Sequence, residues 1–265
     1  QGRRRLIGEK ELSIPRVPRR PSTSNAMATL FAAPAAPTLP IYGSDLRFPV
    51  HRIYCVGRNY AEHAREMGMD PERDPPFFFT KPADSLVADG ADVPYPPQTD
   101  NLHHEVELVL AIGAGGLDIA PERALDHVYG YAVGNDLTRR DLQSAARERG
   151  QPWDTAKGFD HSAPVSAVRP VETIGHPSTG PIQLSVNDTE RQSGDLAQLI
   201  WTVPEIVAIL SGLFTLTPGD LIFTGTPRGV GPVVPGDVMT GTIASVGSLT
   251  TRVGPAGSGA GVGAG

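Results

Sequence analysis

The sequence predicts an α+β fold that is predominantly β with a few peripheral helices, and three observations predict it. The apolar runs are short, β-branched or aromatic, and bounded by Gly, Pro, Asn or Asp. Helical stretches are few and do not alternate regularly with the strand-like runs, which disfavours a doubly wound parallel sheet. No self-similarity recurs at a solenoid period.

Residues 1–26 are Arg- and Pro-rich and aperiodic. The Ser-Asn-Ala run before Met27 marks them as a tag-derived or disordered leader. A functional basic arm is the alternative. Residues 27–51 read as a lead-in punctuated by Pro and Gly, residues 52–253 as a single domain, and residues 254–265 as a flexible Gly-rich tail. Strands are expected at HRIYCVG, PPFFFTK, EVELVLAIG, VYGYAVGND, IQLSVND, DLIFTGT and DVMTGTIASVG. Helices are expected at NYAEHAREMG, PERALDHV, LTRRDLQSAARERG and VPEIVAILSGLF. In the third of these Thr138 is a possible cap, Arg149 falls in the last turn and Gly150 closes the helix. Asn187-Asp188-Thr189 matches a glycosylation pattern but reads as a hairpin turn.

Composition narrows the function. The 265 residues carry a net charge of -6 with interspersed signs, so there is no basic stripe to track a phosphate backbone, and nucleic acid is not an expected partner. No apolar run approaches the ~20 residues that span a bilayer, and a cytoplasmic location is expected. Cys55 is the single cysteine, which excludes an internal disulfide, and its apolar neighbours suit a buried strand residue better than a nucleophile.

Strand alternation places Glu105 and Glu107 on one face while Val106, Leu108 and Leu110 point the other way. At roughly 6 Å and an effective dielectric near 20 such a pair repels by about 3 kcal/mol. On an open edge strand screening removes the difficulty. Asp136 adds a third acid at a strand end just before a helix, a place where chemistry is often mounted. Three carboxylates without a Cys pair suit a hard cation such as Mg²⁺ or Mn²⁺ better than zinc. Neither His103 nor His104 is assigned as a ligand.

His63 and Glu66 are three apart and share a helix face, so the carboxylate can fix the imidazole tautomer and leave the other nitrogen to take a proton from water. A solvent-facing His beside a Glu has the same spacing. Lys157 lies between Trp153 and Phe159, where a partly desolvated ammonium can neutralise an oxyanion, although a surface lysine with a snorkelling stem fits too. Arg140 and Gln143 share a face on the next helix and offer donors to a carboxylate. The glycines of FTGTPRGVG form no phosphate-binding loop, because no Lys-Ser/Thr follows.

The segments GRNYAEHAREMG, KPADSL, NLHHEVELVLAIG, GYAVGNDLTRRDLQ, PWDTAKGFD, SAPVS, VNDTERQ and DLIFTGTPRGVGPV resemble, in order, the signature blocks of the fumarylacetoacetate hydrolase family. The resemblance runs from about Arg52 to Val253 and is strongest to its short acylpyruvase branch. It implies a mixed β-sandwich roll, usually a homodimer, and one Mg²⁺ or Mn²⁺ per subunit held by Glu105, Glu107 and Asp136. It implies His63, Glu66 and Lys157 as catalytic residues, and Arg58, Arg140, Gln143 and Thr226 as substrate-binding. The activity implied is hydrolysis of a carbon-carbon bond in a small acylpyruvate, with fumarylpyruvate, giving fumarate and pyruvate, as the expected substrate. Oxaloacetate decarboxylation or hydroxymuconate isomerisation and decarboxylation on the same scaffold are the nearest alternatives. A noncatalytic metal-binding module is a more distant one.

Overall fold

The computed structural model describes residues 30, 32–62, 75–88 and 90–256. His63, Glu66 and most of the helix expected around them lie outside these residues. The chain separates into Gln1–Ala35 and one compact unit, Ala36–Gly265, which takes in part of the expected lead-in.

The first strands are β1 (Thr38–Pro40), β2 (Arg47–Pro49), β3 (Ile53–Gly57), β4 (Phe77–Lys81), β5 (Leu86–Ala88) and β6 (Val93–Tyr95). Next, β7 (Leu102–His104) and β8 (Val106–Ile112) flank Glu105, while β9 (Val128–Asn135) and β10 (Thr138–Arg139) flank Asp136 and Leu137. Helix α1 (Arg140–Glu148) and the single turn α2 (Asp154–Lys157) follow, then β11 (Ala163–Val165), β12 (Arg169–Pro170) and the short α3 (Val171–Ile174). The last third holds the hairpin β13 (Pro181–Val186) and β14 (Thr189–Asp195), helix α4 (Val203–Leu213), and β15 (Leu221–Phe223). It closes with β16 (Gly231–Val233), β17 (Val238–Ile243) and β18 (Gly247–Ala256).

A mixed eight-stranded sheet runs β4-β3-β15-β8-β9-β11-β5, with β12 paired to β9, and a five-stranded sheet runs β14-β13-β17-β18-β6. The two face each other across the larger core. Val106, Leu108 and Val133 meet Leu184, Met239 and Leu249 there. Gly241 of β17 sits so close that a Cβ would lie 3.0 Å from Val106 and 3.3 Å from Val133. The opposite face of the large sheet buries Val109, Ala111 and Phe223 beneath Leu39 and Phe48 of the β1–β2 hairpin. Every residue of β8 is therefore buried, which is why its apolar run does not alternate with polar residues. The predominantly β, few-helix architecture is the one expected.

Local differences have local causes. The run HHEVELVLAIG is two strands rather than one, because β7 leaves for a three-stranded sheet, β10-β7-β16, and Glu105 occupies the break. Thr138 is not the cap of α1; Arg139 takes that place without a side-chain bond, and Thr138 Oγ1 donates to the Asp136 carbonyl at 2.9 Å. At the other end Arg149 is the C-cap, and Gly150 adopts φ 62 as the left-handed residue beyond it. PERALDHV forms a 3₁₀ segment over Pro121–His127. Helix α4 starts at a capping box between Thr202 and Glu205. Asn187 and Asp188 form the β13–β14 turn with φ 49 and 63, as the type I′ geometry of a two-residue hairpin demands. Cys55 is buried in β3, and burial pushes its thiol well above its ordinary value, so it is inert.

Candidate metal centre

Strand register brings the acids together. β8 and β9 pair with Val106 opposite Asn135, so the next residues outward, Glu105 and Asp136, also face each other. The Asp136 amide donates to the Glu105 carbonyl at 2.8 Å, and the Asn135 side chain accepts from the Glu105 amide at 2.8 Å. Glu107 lies two residues further along β8 on the same parity. One ligand oxygen from each of Glu105, Glu107 and Asp136 lies within 4.8 Å of the others, and all three residues are buried.

Three buried carboxylates at this spacing repel one another, and the surroundings answer with cations. Lys157 Nζ reaches Glu105 Oε2 at 2.8 Å, Asp136 Oδ2 at 2.7 Å and Thr138 Oγ1 at 2.7 Å. Burial alone would lower its pKa, but Asp136 and Glu105 outweigh that and raise it above 10.5, so the ammonium stays charged. Arg140 Nη2 donates to Glu105 Oε1, and Nη1 donates to Gln143 Oε1. Lys81 completes the set: its Nζ lies 2.8 Å from Asp136 Oδ1 and also donates to the Lys157 carbonyl. Among the described residues Glu107 has no such side-chain cation; it accepts a hydrogen bond from the Gly225 amide at 2.7 Å. Burial, then repulsion by Asp136 and Glu105, pushes its carboxyl well above the ordinary 4.5. A buried acid held proton-loving by two others is a place where a dication gains most, and all-oxygen donors fit a hard one.

Gly225 can only be glycine. Its φ is 100, and a Cβ would lie 2.7 Å from Asn59 Cβ. Asn59 is fully buried and pins this turn, donating to the Thr224 carbonyl at 2.8 Å and the Trp201 carbonyl at 2.9 Å while accepting from the Trp201 amide at 2.7 Å.

The acids open into a cavity that Arg58, Arg140, Gln143, Lys157 and Thr226 also line. A neighbouring hollow shares Arg58, Phe79, Trp153 and Lys157 with it. Arg58 holds the left-handed φ of 62, and its guanidinium lies 5.1 Å from the Phe77 ring centre and 6.0 Å from that of Trp153. Thr226 is present but its hydroxyl is committed, donating to the Val106 carbonyl and accepting from Gln192 Nε2, each at 2.8 Å. His103 and His104 stay off the acids. His103 Nε2 meets Asn101 Oδ1 at 2.9 Å, and burial followed by the Arg140 charge lowers its pKa to about 4; His104 Nδ1 donates to Gln192 Oε1 at 2.9 Å.

The structure thus gathers the three expected metal carboxylates and five of the other expected site residues around one cavity, while His63 and Glu66 lie outside the described residues. Sequence reasoning missed Lys81, whose signal is its parity with Phe77 and Phe79 at the end of an aromatic strand. It also missed Asn59 and Gln192, whose partners are more than thirty residues away and leave no local trace.

Residues 52–254 match the family described as fumarylacetoacetate (FAA) hydrolase C-terminal. A fumarylpyruvate hydrolase of Ralstonia sp is 46% identical over 188 residues, 71% of this chain and 97% of the relative. An oxaloacetate tautomerase of Escherichia coli is 42% identical over 212 residues, 80% of this chain and 96% of the relative. The crystal structure of fumarylpyruvate hydrolase from Pseudomonas aeruginosa in complex with Mn²⁺ and pyruvate superposes with a TM-score of 0.84 at 56% identity, covering 86% of this chain and all of that one. Among the described residues no helix is long and apolar enough to cross a membrane.

Proposed function

The chain belongs to the fumarylacetoacetate hydrolase family, and from that premise we propose that it hydrolyses a carbon-carbon bond in an acylpyruvate, with fumarylpyruvate as substrate. The observation that carries this reading is the convergence of Glu105, Glu107 and Asp136, buried, with Lys157 among them, at the floor of one cavity. Relatives named for this activity, one of them crystallised with Mn²⁺ and pyruvate, support it.

The three acids would hold Mg²⁺ or Mn²⁺, which when bound supplies an electron sink for the 2-oxoacid half of the substrate. The chain's own groups do the rest. His63, oriented by Glu66, takes a proton from water as its oxygen bonds to the distal acyl carbonyl carbon. Collapse of that adduct breaks the carbon-carbon bond, and the electron pair leaves on the pyruvate half as its enolate. Lys157, fixed in its charged form, stabilises the negative oxygen there. A proton delivered to the enolate carbon gives pyruvate, and the acyl half departs as fumarate. Arg140 with Gln143 places guanidinium and amide donors beside Glu105, and Arg58, its guanidinium near the Phe77 and Trp153 rings, lines the same cavity and would meet the acyl half.

Loss of enol absorbance, followed for a panel of acylpyruvates and for oxaloacetate with and without chelator, tests the assignment. Chelator-sensitive turnover of fumarylpyruvate above the rest is expected; chelator-indifferent turnover would overturn it. His63→Ala should abolish this hydrolysis while leaving Mn²⁺ affinity within about twofold of wild type, and an active variant would remove His63 from the role of base.

A second reading, oxaloacetate tautomerisation or decarboxylation, is favoured by the relative at 42% identity that carries the first of these names. It needs the same acids and no attacking water. Retained oxaloacetate turnover in His63→Ala would select it.

A further inference from the structure

Gln192 is the only buried residue on β14. A bulge puts it there: Leu184 pairs with Gln192 and Ser185 with Glu190, so Arg191 is the extra residue and the Gln192 side chain turns inward. Its carboxamide makes all four bonds that a carboxamide can make. Oε1 accepts from the Val106 amide at 3.0 Å and from His104 Nδ1 at 2.9 Å. Nε2 donates to Thr226 Oγ1 and to the Pro227 carbonyl, each at 2.8 Å.

The addresses of those partners matter. His104 and Val106 are the two chain neighbours of Glu105. Thr226 and Pro227 follow Gly225, whose amide holds Glu107, and Thr226 returns a bond to the Val106 carbonyl. The approach is close by construction of the backbone. A Cβ on Gly229 would lie 2.1 Å from the Arg191 carbonyl oxygen, and one on Gly194 would lie 2.7 Å from Pro227 Cβ.

We infer that Gln192 is a positioning residue: one side chain, mounted on the five-stranded sheet, sets where Glu105 and Glu107 stand relative to each other without touching either. This rests on the metal-dependent reading above. Groups that orient ligands from behind typically carry about 10–100-fold of metal affinity, whereas a buried Gln of merely structural value carries stability alone.

The test uses the full chain, titrated with Mn²⁺ and read by the free-ion and bound-ion electron paramagnetic resonance signals well below each melting temperature. Gln192→Met, close in length and without hydrogen bonds to give, is expected to weaken Mn²⁺ binding about tenfold or more and to change the bound-ion spectrum. Leu249→Ala, in the same sheet on β18 and outside this network, is expected to lower the melting temperature yet leave affinity within about twofold. Wild-type affinity and spectrum in Gln192→Met would overturn the inference whatever its melting temperature. If that variant does not fold, Gln192→Glu keeps the two accepting contacts and loses the two donating ones; an unchanged bound-ion spectrum overturns the inference and a changed one supports it. Failure of the wild-type chain to bind Mn²⁺ at all is a different result, since it sinks the metal-dependent reading itself.

Discussion

Among the described residues two regions bury acid, and they do so in opposite ways. Asp220 is fully buried, yet every bond its carboxylate wants is made: Arg52 Nε at 3.0 Å and His51 Nδ1 at 2.9 Å on one oxygen, Arg52 Nη2 at 2.7 Å and the Thr217 amide at 2.9 Å on the other. Glu107 is as deeply buried, has one backbone donor among the described residues, and faces two further acids. The first arrangement is a solved structural problem that ties β15 to the chain entering β3. The second leaves an electrostatic deficit that the fold does not remove, and such a deficit is what a ligand ion relieves.

Substitution should separate the two regions cleanly. The largest expected effect is on function: Glu107→Gln should cut turnover at least about 10³-fold and abolish Mn²⁺ binding, because several kcal/mol of transition-state stabilisation is tied to the ion. The same variant should melt higher than wild type when both are metal-free, since the repelled acid is gone. Asp220→Ala should do the reverse. Leaving Arg52 and the Thr217 amide without their partner costs about 3 kcal/mol, or roughly 6–12 °C in melting temperature for a domain of this size, with Mn²⁺ affinity unchanged by titration.

The pH dependence sharpens the contrast further. A carboxyl whose pKa is raised on folding binds more protons folded than unfolded, so metal-free stability should fall as pH climbs above the ordinary 4.5, and Glu107→Gln should flatten that slope. Ion binding then requires the proton to leave. Calorimetry in two buffers of different ionisation enthalpy should show proton release on Mn²⁺ binding, and affinity should tighten as pH rises. The smallest effect concerns His103. Its pKa of about 4 when folded predicts no inflection in its proton resonance between about pH 5.5 and 7.5. The stability that comes from burying it neutral is complete above its unfolded value of 6.5 and is lost as pH falls towards 4.

The parts of this site legible in the sequence were those governed by local periodicity. Parity put Glu105 and Glu107 together, and the strand ending at Asn135 put Asp136 near a helix start; the family resemblance then gave roles to residues that spacing alone left ambiguous. Lys157 was marked by its aromatic neighbours. What stayed hidden depended on non-local pairing. The break at Glu105 exists because β7 changes partners, and no single-strand pattern records that. Thr138 was a possible helix cap, but a buried ammonium claimed its hydroxyl, a tertiary demand stronger than a local preference. Gln192 sits in a segment that is otherwise solvent-facing, so only the bulge reveals it.

The crowding of acids and cations around one cavity has a kinetic consequence. Glu105, Glu107 and Asp136 share the cavity with Arg58, Arg140 and Lys157, and a dianion approaching from solution meets a chain whose overall charge is -6. A bound dication, even net of the proton that Glu107 releases, makes the mouth more positive. Capture should therefore be ordered, ion before substrate, and its encounter rate should decline as salt is added, because the field that draws the guest inward arrives with the ion.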